Sequence, residues 1–465
     1  MALCTLVGAN LLLRAFFWMT FTPILRGDTD AYVRLADRIV HWSWEGFIGD
    51  RTPGYPLLLA ASGFPGMHVR YDAVVLAQFI LGTAAAALVY LLLLRLTGCR
   101  WFSWVVALAH SLSLNSLEGE IYILTEPLYS FLLLLSLWLF VRRREKVILL
   151  GLLVAAMVLT RPPGIIMVPV FAAAIGFSSM AARPVGLFCA AAVCPILLWC
   201  CFLKGFCGMF GLTTITGYNL TNKVEDFFEL VPDAHKDIRD AFLRYREEQM
   251  RVYGTYANTV WVHNDDLRRL LGPQATMVDL SRELMSIGLD LIRRHPVLYL
   301  GAVLRSAGRV FRPEFIVHST DGPLSDSTSP EHGPVIKRPG WEAFLKRLWG
   351  WERPLLGAFY GAFLAGAAAL ALLLFRRRRV RHGVVLAAMA AMVLGNLCLT
   401  CMIEYGEPRH VLMYQPLMFV FLGGLAWQGV ESWAARVRNV FVFAQGGRPT
   451  LSAWKATCSR RRRPT

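Results

Sequence analysis

Nowhere in this chain do apolar and polar residues alternate over the length of a strand, which argues against both a sheet core and a membrane barrel. Its ten cysteines include no CxxC…CxxC spacing, and Cys4, Cys189, Cys194, Cys200, Cys398 and Cys401 lie inside apolar runs. Neither a disulfide framework nor a structural zinc site is expected. The histidines His235, His263, His318 and His332 lack ligand spacing and read as surface residues. An Ala-x-Ala cleavage site is missing from the apolar N-terminus, which runs past signal-peptide length and reads as an uncleaved first span. No internal repeat appears, which counts against a transporter built on inverted repeats.

What is there is hydrophobic. Apolar residues make up 55% of 465 positions, mean hydropathy is +0.46, and the runs approach the ~20 residues a helix needs to cross a ~30 Å hydrocarbon core. The fold expected is all-α: a polytopic membrane bundle of about ten transmembrane helices with a small extracytoplasmic helical loop domain. The net charge of +16 comes in short bursts between these runs. That is the positive-inside pattern of a multi-pass protein, not a nucleic-acid groove, and no nucleic-acid partner is expected.

Spans are placed near 2–25, 73–94, 101–117, 123–141, 147–160, 164–180, 185–203, 354–375, 383–402 and 411–430. With this count Arg95, Arg100, Arg142 to Arg144, Lys146, Arg183, Arg376 to Arg379, Arg381 and Arg460 to Arg463 share one side, which is therefore cytoplasmic. The organisation expected is an N-terminal module 1–203 with a first outer loop at 26–72, an extracytoplasmic segment 204–353, a C-terminal module 354–430 and a basic tail 431–465. Within the second outer segment, Asp233–Val252 and Ala275–Arg294 read as helices with little apolar core of their own. Trp341, Phe344, Leu348, Trp349 and Trp351 read as an interfacial helix leading into the eighth span.

The outer side holds nearly all the acidic residues and isolated arginines at helix ends, where function is sought. In Gly27-Asp28-Thr29-Asp30-Ala31-Tyr32, the residues Tyr32, Leu35, Ala36 and Ile39 form one apolar helix face, with Asp28 at its head. Asp30, Arg34, Asp37, Arg38 and His41 form the charged face, so Asp30 reads as a salt-bridging residue and Asp28 as the buried one. Asp28 is open to two readings, a helix N-cap or a general base; a cap tolerates Asn or Ser and a base does not. Arg51-Thr52-Pro53-Gly54-Tyr55-Pro56 makes a rigid turn that leaves Arg51 at the level of lipid phosphates, either as a phosphate ligand or as a snorkelling anchor. Glu126 before Pro127 reads as a helix cap or a site acid, and Arg161 before Pro162-Pro163 as a partner of helix-end carbonyls or a site cation. Arg409 and His410, flanked by Glu404 and Glu407, read as a solvated turn or as a wall of the site.

Taken together, Asp28-x-x-x-Tyr32, Arg51-x-Pro-Gly-Tyr-Pro, Thr125-Glu126-Pro127-Leu128, Leu159-Thr160-Arg161-Pro162 and Gly406-Glu407-Pro408-Arg409-His410 resemble the C-type membrane glycosyltransferases. The likeness is to the bacterial branch related to aminoarabinose transferase and to polyprenyl-phosphate-mannose protein mannosyltransferases. It implies that Asp28 is the catalytic carboxylate, Glu126 a second acidic residue, and Arg51 a partner of the donor phosphate. Asp30, Tyr32, Tyr55, Arg161, Glu404, Glu407, Arg409 and His410 are the other candidates for substrate binding. The implied activity is inverting transfer from a polyprenyl-phosphate-linked sugar to an envelope glycolipid, glycan or protein, on the outer face of a bacterial cytoplasmic membrane. No metal or cofactor is required, because the phosphate departs as an anion and only the attacking hydroxyl must lose a proton. A flippase of lipid-linked glycans and a glycan polymerase or ligase using diphosphate-linked donors are the competing readings. Spans mostly free of polar residues favour the enzyme.

Overall fold

The computed structural model describes residues 1–25, 27–63, 69–143, 145–179, 181–254, 258–313, 341–376 and 380–444. Arg144, Arg377 to Arg379, Arg460 to Arg463, His318 and His332 therefore lie outside the described residues. The chain is an all-α, multi-pass membrane protein. Among the described residues there is no strand, only an isolated parallel bridge between Ile24 and Tyr122.

The helices are α1 (Ala2–Thr20), α2 (Gly27–His41), α3 (Gly54–Gly63), α4 (Tyr71–Thr97), α5 (Arg100–Ser111), α6 (Leu114–Gly119), α7 (Glu126–Arg142), α8 (Val147–Thr160), α9 (Met167–Ser179) and α10 (Ala182–Cys207). There follow α11 (Thr216–Val224), α12 (Lys236–Tyr253), α13 (Thr259–Val262), α14 (Asn264–Arg269), α15 (Met277–Arg294), α16 (Pro296–Val310), α17 (Trp341–Phe375), α18 (Gly383–Ile403), α19 (Arg409–Leu412) and α20 (Gln415–Ala444). Six helical stretches among the described residues are long and apolar enough to cross a membrane: α1, α4, Pro162–Ser179, α10, Ala343–Phe375 and α18.

Several expected boundaries move, each for a local reason. The span expected at 101–117 ends at Ser111, and the chain restarts as the short α6. There Glu352 of α17 accepts from the Ser113 hydroxyl at 2.7 Å and from the Leu114 N–H at 2.9 Å, satisfying donors the interrupted helix leaves open. Pro162 and Pro163 turn the start of the next span into a 3-10 segment, Pro162–Ile166. The interfacial helix and the eighth span are one continuous helix, α17, with Pro354 inside it. The last helix runs past residue 430 to Ala444.

The membrane core packs α4, α7, α8, α9, α18 and α20 around fully buried Leu93, Tyr129, Leu133, Leu137, Val154, Met157, Phe171, Val393 and Phe421. The segment after α10 has an apolar core of its own, contrary to the expectation from its composition. Tyr218, Val224, Phe228, Phe242, Val260, Leu280, Leu284, Ile287 and Leu291 are buried together beneath α11, α12 and α15. The reason is that α15 is amphipathic and lays its apolar stripe on α11, so few residues suffice.

The helix ends sort by charge. Glu126, Thr160 and Ile403 end α7, α8 and α18 on the side where Asp28 and Arg51 sit, while Arg142, Lys146 and Arg381 lie at or beyond the opposite ends of the same helices.

Candidate active site

The first turn of α2 is pinned before the site forms. Ile24 N–H donates to Ile121 O at 3.1 Å, Ile123 N–H returns to Ile24 O at 3.0 Å, and the Thr29 hydroxyl donates to Ile123 O at 3.1 Å. These bonds fix the start of α2 against the segment that enters α7, so Asp28 and Glu126 both come within reach of the Arg161 charge. The Pro53-Gly54 turn docks on the end of α8: a Cβ on Gly54 would lie 2.5 Å from Thr160 Oγ1 and 2.7 Å from Leu159 O. Only glycine permits that approach, which seats the turn after Arg51 on the end of α8, just before Arg161.

Asp28 is held by two guanidiniums. Its Oδ1 accepts from Arg51 Nη2 at 2.8 Å and its Oδ2 from Arg409 Nη2 at 2.6 Å. Arg161 Nη1 donates to Glu126 Oε1 at 3.0 Å, and its Nη2 is 3.9 Å from Glu404 Oε2. Glu407 pairs with Arg409 Nε, and Glu404 Oε2 lies 3.6 Å from His410 Nε2. Four carboxylates and three arginines from both ends of the sequence thus share one site. Among the carboxylates, Glu126 is 5% exposed, whereas the Asp28 side chain keeps 35% of its surface open.

Burial works to raise the Asp28 pKa, but the charges of Arg409 and Arg51 outweigh it and hold the carboxyl well below the usual range. Glu404 moves the other way: burial raises it, against the opposing pull of Arg161 and Arg409. Burial, with Arg161 and Arg409 nearby, pushes His410 well below its ordinary value, so the ring is neutral. Its Nδ1 accepts the Glu407 N–H at 3.3 Å, which places the ring proton on Nε2, toward Glu404.

The candidates sort by position. Tyr32 lies in the site, with the Arg51 guanidinium 5.3 Å from its ring centroid. Tyr55 stands behind it, fully buried in edge contact with Tyr32 at 5.3 Å, its hydroxyl donating to Gln78 Oε1 at 2.8 Å. A direct substrate contact for Tyr55 is corrected to support of Tyr32. Asp30 is exposed and stands outside the cluster, because two residues along α2 turn it by about 200°, to the face opposite Asp28. Of the pair, Asp28 is the less exposed, as expected, but its burial is only partial. Arg409 and His410 do not form a solvated turn; their side chains are 18% and 5% exposed.

Sequence reasoning missed a second polar layer. Arg14, inside α1, makes a bidentate pair with Glu120 (Nε–Oε2 2.8 Å, Nη2–Oε1 2.6 Å), and Asn10 Oδ1 accepts from its Nη1 at 2.6 Å. Gln78 Nε2 donates to Glu120 O at 2.9 Å and to Tyr122 O at 2.8 Å, tying this layer to Tyr55. The spans are therefore less clean than expected. The signal was an arginine in the middle of an apolar run, where a charge is costly without a partner. Among the described residues no group of three or more His, Cys, Asp or Glu is arranged to hold a metal ion.

No family model matches the sequence, and no curated protein matches it. Solved structures do resemble it. The archaeal oligosaccharyltransferase AglB from Archaeoglobus fulgidus, in complex with an inhibitory peptide and a dolichol-phosphate, is similar with a TM-score of 0.46 and 14% identity over 98% of this chain and 53% of that one. ArnT from Cupriavidus metallidurans bound to undecaprenyl phosphate is similar with a TM-score of 0.34 and 13% identity over 93% of this chain and 79% of that one. The chain spans about half the length of the oligosaccharyltransferase chains it matches, 53% and 52%.

Proposed function

We propose that this chain is a glycosyltransferase that moves a sugar from a polyprenyl-phosphate donor to an envelope acceptor at the outer face of a bacterial cytoplasmic membrane. The observation that carries the reading is Asp28, a part-exposed carboxylate with one guanidinium on each oxygen. A lone phosphate ligand needs no carboxylate beside it, and a lone base needs no arginines; a site that does both needs both.

The chemistry follows from charge. The acceptor hydroxyl oxygen attacks the anomeric carbon from the face opposite the phosphate, its proton passes to Asp28, and the bond from that carbon to the phosphate oxygen breaks with its electron pair on phosphate. The carboxylate goes from −1 to neutral while the donor phosphodiester monoanion becomes a polyprenyl phosphate dianion. Total charge in the site stays constant, and the fixed guanidiniums of Arg51 and Arg409 stabilise the phosphate dianion as it forms. Glu126, Glu404 and Glu407 hold the arginines in place. The module boundaries at 203, 353 and 430, with about ten spans, belong to the same proposal.

The test is reconstitution in vesicles with polyprenyl-phosphate sugars and an envelope extract, scored by release of polyprenyl phosphate. Release that requires both extract and Asp28 supports the reading. Movement of intact lipid-linked sugar across the bilayer without release would replace it with the flippase, and release of polyprenyl diphosphate, from diphosphate-linked donors alone, with the polymerase or ligase.

A further inference from the structure

The arginine pair raises a difficulty for a base: a carboxylate bonded to two guanidiniums is a poor proton acceptor at neutral pH. Asp28 nevertheless keeps 35% of its side-chain surface exposed, and both contacts come from guanidinium Nη2 atoms, which a phosphate oxygen takes as readily as a carboxylate oxygen does. Arg51 also keeps a donor in reserve, since its Nε is buried and has no acceptor among the described residues. The Arg51 Nη1 is committed to Asp50 O at 2.9 Å, and Arg409 Nε to Glu407, which hold both guanidiniums where they are when a ligand exchanges at Nη2.

We infer that Asp28 is the resting counterion of an anion site formed by Arg51 and Arg409, and that a phosphate entering between the two guanidiniums displaces it. The inference rests on the donor assignment under Proposed function. Phosphate takes the Nη2 donors and the spare Nε; the carboxylate, stripped of two cationic partners, regains its basicity and swings to the acceptor side. The base is thus available only when the donor is bound. An empty enzyme cannot deprotonate water or an acceptor to no purpose, and binding order is donor first. The groups facing Asp28 in this exchange are Arg51, Arg409 and Arg161, with Tyr32, Glu404 and His410 near enough to interact with its charge.

The experiment measures binding, not turnover. The full chain in detergent or lipid discs is titrated with undecaprenyl phosphate and, separately, with inorganic phosphate, for wild type, Asp28→Asn, Asp28→Ser and Arg409→Gln. Removing a competing anion tightens binding: Asp28→Asn and Asp28→Ser bind undecaprenyl phosphate about tenfold more strongly than wild type, and Arg409→Gln binds it more weakly. Equal or weaker binding by both Asp28 variants, at an unchanged unfolding temperature, overturns the counterion role while leaving the donor assignment standing. No binding by wild type or by any variant overturns the donor assignment and this inference with it. A gain for inorganic phosphate alone identifies a free phosphate as the displacing anion and overturns the lipid source. Should both Asp28 variants fail to fold, wild-type protein carrying 13C-labelled aspartate decides: a shift of one carboxylate stretching band on adding undecaprenyl phosphate supports the exchange, and an unshifted spectrum rejects it.

Discussion

A Cβ placed on Gly406 would lie 2.8 Å from Ser306 Cβ and 2.9 Å from Ser306 O, so the turn that carries Arg409 rests against the backbone of α16. Gly406 adopts φ +72°, which L side chains rarely take, and the Ser306 hydroxyl donates to Tyr405 O at 3.0 Å beside it. Gly406→Ala is expected to lift the turn off α16 and misplace Arg409. Transfer should fall by about 100-fold, the cost typical of a displacement near 1 Å in a site. Assays of polyprenyl phosphate release, with thermal unfolding as control, check it; near-normal turnover would show that Arg409 does not depend on this contact.

Asp28 and Asp30 are two residues apart and separate the roles cleanly. Asp28→Asn is expected to abolish transfer with thermal stability close to wild type, whereas Asp30→Asn, outside the cluster, retains substantial activity. Asn caps a helix as well as Asp but cannot accept a proton, so the pair distinguishes a base from a cap. Equal activity of wild type and Asp28→Asn ends the catalytic assignment.

The pair Arg14–Glu120 is 4% and 9% exposed and should act on stability rather than on chemistry. Removing either partner alone leaves a buried charge, so Arg14→Met and Glu120→Leu should each cost about 3–5 kcal/mol. The double substitution should recover most of that loss, because two apolar side chains need no partner. A double-mutant cycle in detergent measures this, and simple additivity of the two losses would contradict it.

Glu225, just after α11, is 2% exposed, its Oε2 has no hydrogen-bond partner among the described residues, and burial, with Asp226 beside it, raises its pKa to about 8 against the pull of Arg309 and Arg246. Lys223, nearby, is pushed down to about 8 by burial, with Arg309 adding to the shift. A carboxyl raised in the folded state binds a proton that the unfolded chain has released. Its contribution to stability is therefore present below the ordinary 4.5 and lost as pH rises toward 8. Wild type should lose stability relative to Glu225→Gln between pH 5 and pH 8. Parallel unfolding curves for the two proteins across that window would refute the assignment.

Topology can be read from labelling. In a background without native cysteines, a cysteine at position 408 should react with a membrane-impermeant thiol reagent on intact cells, and one at position 145 should not. The reverse pattern would put the cluster in the cytoplasm and favour a nucleotide-sugar donor.

Apolar runs, basic bursts and helix-breaking prolines were enough to establish an all-α membrane bundle and to assign Asp28, Arg51, Glu126, Arg161 and Arg409 to one end of it. These are local properties, set by span length, by the cost of charge in lipid and by the loss of an N–H at proline, and they need no knowledge of neighbours. Which residue pairs with which was decided only by the packing. Asp28 lies 381 positions from Arg409, and Arg14 lies 106 from Glu120. Partner choice over such separations depends on glycine contacts such as Gly54 on Thr160 and Gly406 on Ser306, whose value exists only once two helices touch. The same holds for basicity: spacing placed Asp28 at the head of an apolar face, but the two guanidiniums that restrain it arrive from other parts of the chain, so its working state is a property of the tertiary structure.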